Sequence, residues 1–443
     1  MHASRLVAVL ALILGAVVLA CGTSDTPLPT RTPSPSPSAT RASQVTPQAS
    51  QPPPPLEIPL AGRGITLLIK NGTLIDGTGA DRRPNAYVLV KDGRIVALGN
   101  GDIEPPTEAE VIDVGGGTIM PGLIDTHVHI TRRLLPRSES GGNTIDQDGL
   151  LPWLEEGITT LREVGTARIV FPSVRIFADG LRINNRAPRV VWAGPMVTAP
   201  GGYPIPVGFD YVAQEVASVD EARSVVNTLA DGGAGVIKLG LEQGYHSNEG
   251  WPLLSLDQVM AIAETAHARG LRVTAHVTSL DEVQLALDGG VDDLAHAPLE
   301  PIPDELMQKM LGRGMGMATT ATVWGDGGEE AAANAKRYAD AGGIVSVATD
   351  FGCGGCSQPP GIASYLREIE FLAQSGMSPM QLLVAATRAG AILSGVDDEV
   401  GTIEAGKVAD IIIVDGDPLV DIKALRNVSV VIQGGKIVSR GVN

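Results

Sequence analysis

The stretch Pro121-Gly122-Leu123-Ile124-Asp125-Thr126-His127-Val128-His129 decides how the rest of the chain is read. A short apolar run ends in two histidines spaced i, i+2. Side chains on a β-strand alternate between faces, so both imidazoles project from one face. Two neutral imidazoles side by side at the end of a buried strand can hold one divalent cation between them. A pair of hydrogen-bonded core histidines is the plain alternative, and the surrounding sequence has to decide between the two.

Downstream, short apolar segments alternate with helical ones as far as about Asp398. Strands are expected at Leu123–His129, Ile158–Val164, Val190–Ala193, Val236–Leu239, Val273–Val277, Asp293–Ala297, Met315–Thr319 and Ile344–Asp350. Helical patterns lie between most of them. Leu256–Arg269 has apolar residues at 3.6-residue spacing with Gly270 as its stop, and Ser279–Leu287 is a second such stretch. Eight βα repeats predict an α/β fold, a TIM (β/α)8 barrel over residues 121–398. The competing architecture, a doubly wound open sheet, is disfavoured because no Gly-rich phosphate loop follows the first strand.

Both flanks of this region are β in texture. Ile65–Ile69 precedes Asn71-Gly72, and Ala86–Val90 precedes Asp92-Gly93, each read as a hairpin signal. Ala409–Val414, Val428–Ile432 and Lys436–Val438 repeat the pattern at the carboxyl end, with Gly434-Gly435 before the last. The simplest topology is a small β-sandwich domain built from residues 61–120 and 399–443, with the barrel inserted between them.

Residues 1–21 read as a targeting segment outside the fold. Arg5 supplies a positive start, and Leu6–Ala20 is shorter than the ~20 apolar residues a spanning helix needs. Val18-Leu19-Ala20-Cys21 resembles a bacterial lipobox, whose cysteine is lipidated; an ordinary signal peptide carrying a cysteine is the alternative. Residues 22–60, dense in Pro, Ser and Thr, are expected to be a disordered, extended linker. The expected location is therefore extracytoplasmic, with the folded part tethered to a membrane as a lipoprotein. The chain of 443 residues is 44% hydrophobic, enough for a large core, and its net charge of −17 argues against nucleic acid or an anionic membrane surface as partner.

Barrel sites lie at the C-terminal ends of the strands. There the sequence places His127 and His129, Lys238 in Val236-Ile237-Lys238, His276 in Thr274-Ala275-His276, His296 in Leu294-Ala295-His296-Ala297, and Asp350 in Ala348-Thr349-Asp350. Each closes an apolar run, where a buried polar group without a partner is costly.

In order and spacing these motifs resemble the amidohydrolase superfamily, and within it the branch of imidazolonepropionase-like and prolidase-like metal-dependent hydrolases. The resemblance runs from Gly64 to the end and includes Gly401-Thr402-Ile403-Glu404-Ala405-Gly406-Lys407-Val408-Ala409-Asp410. It implies two divalent metal ions, usually zinc. His127, His129 and Asp350 would hold one, His276 and His296 the other, and Lys238, carboxylated by CO₂, would bridge them. An ammonium facing two dications is repelled, so such a site favours the neutral amine that CO₂ can modify. A salt bridge from Lys238 to Asp350 is the structural alternative.

Asp350 would take the proton of the attacking water and pass it to the leaving nitrogen. The implied activity is hydrolysis of a carbon–nitrogen bond in a small substrate such as a dipeptide or N-acyl amino acid. The alternatives are a cyclic amidase of imidazolonepropionase type, a deaminase, or a metal-binding lipoprotein without turnover. Relatives are commonly homo-oligomers.

Arg162, Tyr203 and His246 are candidate substrate contacts, and the loop after the seventh strand offers Trp324. The family's Thr-Gly-Gly-His turn reads Ala199-Pro200-Gly201-Gly202-Tyr203 here, which weakens a dipeptidase assignment. Cys353-Gly354-Gly355-Cys356 follows Asp350 at once, and in an exported chain a disulfide between Cys353 and Cys356 is expected to stiffen that loop.

Overall fold

The computed structural model describes residues 64, 66–131, 150–174, 187–244, 250–353 and 361–441. The targeting segment with Cys21, the linker, His246 and Cys356 lie outside the described residues. In chain order the strands begin with β1 Thr66–Leu74, β2 Arg83–Lys91, β3 Arg94–Asn100, β4 Glu110–Asp113 and β5 Thr118–Pro121. Next come β6 Leu123–Val128, β7 Ile158–Glu163, β8 Arg189–Trp192, β9 Met196–Thr198, β10 Ala213–Glu215, β11 Val236–Gly240, β12 Arg272–His276, β13 Asp293–Leu294, β14 Gly316–Ala318 and β15 Ile344–Ser346. The last three are β16 Ile411–Val414, β17 Val428–Gln433 and β18 Lys436–Arg440.

Strands from both ends of the described chain share one eight-stranded sheet, ordered β18-β17-β16-β5-β1-β2-β3 with β4 paired to β1. The join is antiparallel, Met120 of β5 facing Ile412 of β16. Alternate residues of β1, β2, β16 and β17 (Leu67, Ile69, Val88, Ile411, Ile432) meet in one buried cluster. The pairing thus joins both ends of the described chain in one sheet with a shared core. Asp92-Gly93 and Gly434-Gly435 are hairpin turns, with positive φ at both positions as a type I′ turn requires. Asn71-Gly72 is a correction. Only Asn71 has positive φ (62°), and the pair sits inside β1, where the register shifts between Ile69 and Gly72. The dipeptide makes a bulge that bends the strand.

The strands between these flanks are parallel, in the orders β6-β7-β8 and β10-β9-β11-β12-β13-β14-β15. A strand occurs at each of the eight expected places. β6, β7 and β11 are buried along their whole length, as parallel strands covered on both faces must be. Strand pairing thus gives two parallel sheets, with backbone bonds passing between them. Gly235 N donates to Trp192 O at 2.8 Å, and Thr126 N to Val347 O at 3.3 Å. The helix Leu256–Ala268 starts at a capping box of Ser255 and Gln258, and Leu280–Asp288 at one of Ser279 and Glu282.

One buried ion pair fastens the eight-stranded sheet to the parallel strands. Arg189 of β8 donates to Asp410 at 2.8 Å, and Asp410 also accepts from Gly434 N. Removing one member of such a pair strands the other charge in a dry interior. Arg189→Ala is therefore expected to lose about 3–5 kcal/mol of stability. Urea unfolding measures this, and a loss under about 1 kcal/mol would mean that Asp410 finds water in the variant.

Candidate metal centre

The six expected residues come together at the C-terminal ends of β6, β11, β12, β13 and β15. His127 is 1% exposed, Lys238 0%, His276 4%, His296 1% and Asp350 6%, while His129 is half-buried at the rim. Local structure explains the convergence. Asp125, two residues before His127, accepts from His127 N and from both N and Oγ1 of Thr349, so it ties the end of β6 to the segment after β15. Asp350 N donates to His127 O at 2.8 Å, and His129 N to Phe351 O at 2.7 Å. Asp350 itself has a left-handed backbone, φ 51°. Opposite His129 stands Gly165, where any Cβ would lie 2.7 Å from the imidazole Nδ1.

His127 Nε2, His129 Nε2 and Asp350 Oδ1 form a triangle with sides of 3.2, 3.3 and 3.1 Å. That matches the edge of a tetrahedron whose arms are the ~2.0–2.1 Å of a zinc–nitrogen bond. His276 Nδ1 lies 2.8 Å from His296 Nε2. Ligand atoms of His127, His296 and Asp350 also lie within 4.8 Å of one another, so His296 belongs to both groups. The expected split into two separate ligand sets is less sharp than the sequence reading drew it.

The far nitrogens fix how the rings point. His127 Nδ1 is 2.8 Å from Ala295 O, His296 Nδ1 is 2.8 Å from Thr320 Oγ1, and His276 Nε2 is 3.4 Å from Glu242 Oε2. Ala295 O and the Glu242 carboxylate only accept, so His127 Nδ1 and His276 Nε2 carry the proton and their inward nitrogens present lone pairs; Thr320 Oγ1 can donate or accept, so it orients the His296 ring without fixing its tautomer. Burial first, then the Lys238 charge and neighbouring imidazoles, holds His127 well below the usual histidine range. Burial, then His276 and Lys238, does the same for His296, and burial also lowers His276. Burial thus favours the neutral form of these three imidazoles, the form that binds metal.

Lys238 has no hydrogen-bond partner for its buried Nζ. Burial, followed by the Arg162 charge, lowers it to about 7. The salt bridge to Asp350 is not formed. Asp350 Oδ1 is also without a hydrogen bond, although two imidazole nitrogens lie within 3.3 Å. Neutral imidazoles, an orphaned amine and an orphaned carboxylate oxygen aimed at one point are the donor set a divalent cation satisfies.

The expected substrate contacts fare differently. Tyr203 lines the cavity and stacks on His276, ring centroids 4.0 Å apart. Trp324 meets His296 edge-on at 5.2 Å. Arg162 is a correction. It is fully buried, with two bonds to Asp293 at 2.9 and 3.1 Å and others to Thr126 O and Leu393 O, so its guanidinium is spent inside the core. His246 lies outside the described residues. Cys353 lines the cavity and is disulfide-bonded, and its expected partner Cys356 lies outside them.

Two residues went unread in the sequence. Glu242 accepts from Thr278 Oγ1 and Gly244 N, both at 2.7 Å, while facing His276. It lies two residues beyond the end of β11, where no spacing within the strand announces it. Thr320, buried and left-handed at φ 49°, orients His296. Glu242→Ala is expected to weaken metal binding about 10- to 100-fold, with Glu242→Gln between it and the native protein. Chelator competition measures this, and native affinity in Glu242→Ala would remove Glu242 from the site.

Comparison with known proteins agrees with this geometry. The sequence signature of the amidohydrolase family matches residues 118–438. The imidazolonepropionase of Haloarcula marismortui is 26% identical over 382 residues, 77% of this chain and 86% of its own. A crystal structure of a Xaa-Pro dipeptidase with methionine bound in its active site superposes with a TM-score of 0.73 at 23% identity, covering 85% of this chain and all of that one. Molinate hydrolase superposes with a TM-score of 0.71 at 22% identity over 85% of this chain and 95% of its own. The chain belongs to the amidohydrolase family of hydrolases that act on carbon–nitrogen bonds.

Proposed function

We propose that the protein is a binuclear metal-dependent amidohydrolase that cleaves a small amide such as a dipeptide or N-acyl amino acid. The observation that carries this reading is the triangle of His127 Nε2, His129 Nε2 and Asp350 Oδ1 beside an orphaned, buried Lys238 Nζ. His127, His129 and Asp350 would hold one ion, and His276 with His296 the other. Zinc suits this nitrogen-rich set best. The Lys238 amine would attack CO₂, lose a proton and become a carbamate whose oxygens reach both groups. Bound there, the ions supply Lewis-acid activation of water and of the scissile carbonyl. Asp350 would hold the proton released by the attacking water and return it to the leaving nitrogen, so no free amide anion departs. The buried imidazoles, fixed by Ala295, Thr320 and Glu242, keep this constellation from reorganising.

In this reading the two parallel sheets are one (β/α)8 wall. The bonds Gly235 to Trp192 and Thr126 to Val347 support it, because they tie β8 and β6, the outer strands of the three-stranded sheet, to residues flanking β11 and β15. The sequence further supports an exported protein lipidated at Cys21. A ring-opening activity of imidazolonepropionase type is the second reading, favoured by the 26% identity to such an enzyme.

The deciding experiment is elemental analysis of protein reconstituted with zinc and bicarbonate, followed by assays on amide and cyclic-amide substrates. Two ions per chain with release of a free amine support the proposal. One ion with ring opening or ammonia release supports the second reading, and no metal removes both.

A further inference from the structure

One side of the cavity is not accounted for by the metal chemistry. Facing the histidines, Lys238 and Asp350 is a wall of Met196, Tyr203, Pro204, Phe209 and Val212. All five come from one stretch, β9, the loop after it and the start of β10. The loop is built to hold its shape. Gly202 N bonds to Ala199 O, Ile205 N to Gly202 O, Phe209 N to Pro204 O and Val212 N to Phe209 O, at 2.8–3.2 Å. Its outer side packs on the segment after β7. Ala167, Val170 and Val212 form a buried cluster with Phe209 and Tyr211 against it, and Arg168 N donates to Tyr211 O at 2.9 Å. In the two segments that meet there, Ile169 is 61% and Val207 40% exposed. Behind Tyr203, Trp251 adds a stacked ring at 6.3 Å.

We infer that this wall selects substrates whose leaving or acyl group is a neutral apolar group, an aromatic ring foremost. The inference rests on the amidohydrolase reading above and narrows its substrate class away from dipeptides with a free carboxylate on this side. A carboxylate pressed against Met196, Pro204, Phe209 and Val212 loses its water and gains no hydrogen bond from these four side chains. A ring in the same place buries against Phe209, Pro204 and Met196 and stacks beside Tyr203. Phe209 is the specificity-determining residue, because its half-buried ring both lines the cavity and packs on the buried cluster of Ala167, Val170 and Val212.

The test compares acetanilide with 4-acetamidobenzoate, which share acyl group and ring and differ by one carboxylate, using the metal-loaded protein. The neutral anilide is expected to have a kcat/KM at least about tenfold higher. Phe209→Ala should lower that value about tenfold, mainly through KM, with metal content unchanged. Equal or greater activity on 4-acetamidobenzoate, or a Phe209→Ala variant with native kcat/KM for the anilide, overturns the inference. If the metal-loaded protein turns over neither compound, the amidohydrolase reading takes that failure, and the wall is judged by binding. Saturation-transfer NMR should then detect acetanilide ahead of the carboxylate, and lose that preference in Phe209→Ala. No preference there overturns the inference as well.

Discussion

Asp350→Asn is expected to lower turnover by about three orders of magnitude. The carboxylate has an oxygen 3.3 and 3.1 Å from two imidazole nitrogens, and no hydrogen bond satisfies it. An amide of the same shape keeps one acceptor oxygen but cannot take up and return a proton, which is worth about 10²–10⁴ in rate. The substitution is suited to a clean reading because Asn tolerates the left-handed backbone found there, φ 51°. Single-turnover kinetics and metal content should be measured on one preparation. Native metal content with near-native turnover would remove Asp350 as the proton carrier. Lost metal with lost turnover would leave it a ligand only.

Lys238→Ala is expected to take the metal content from two ions per chain to one or none, with turnover falling at least about 100-fold. The argument is an unpaired cost. A lysine amine with 0% exposure and no partner is tolerated only if something else satisfies it. Burial lowers the group to about 7, so near neutrality much of it is the free amine that reacts with CO₂. Lys238→Met, which fills the same volume without an amine, separates loss of the bridge from a cavity. CO₂-depleted buffer should lower metal content in the native protein and leave both variants unmoved. Two ions per chain in either variant would remove Lys238 from the site.

The strand ends were legible because a polar residue at the close of a buried apolar run has few places to go. His127, Lys238, His276, His296 and Asp350 each follow that pattern, and each faces the cavity. The same rule misread Arg162. In β7 every residue is buried, so alternation no longer separates the cavity end of the strand from its packed interior. Only the position of Asp293, distant in sequence, shows where the guanidinium goes. Asn71-Gly72 failed for a local reason, since the dipeptide announces a positive φ without saying whether the chain turns back or bulges. Glu242 and Thr320 were illegible because their work is done on another residue's far side. No spacing within one strand encodes the contact between Thr320 Oγ1 and His296 Nδ1.

Thr320 also marks a compromise between endurance and activity. A β-branched side chain in a left-handed backbone costs on the order of 1–3 kcal/mol, which glycine at that place would not incur. A sequence chosen for durability alone would write glycine there and let the His296 ring turn freely. The chain keeps threonine, and so gives up heat resistance for a ring that is aimed before any substrate arrives. Engineering for thermal tolerance that starts from backbone strain would pick position 320 early, and would trade the catalyst for a sturdier shell.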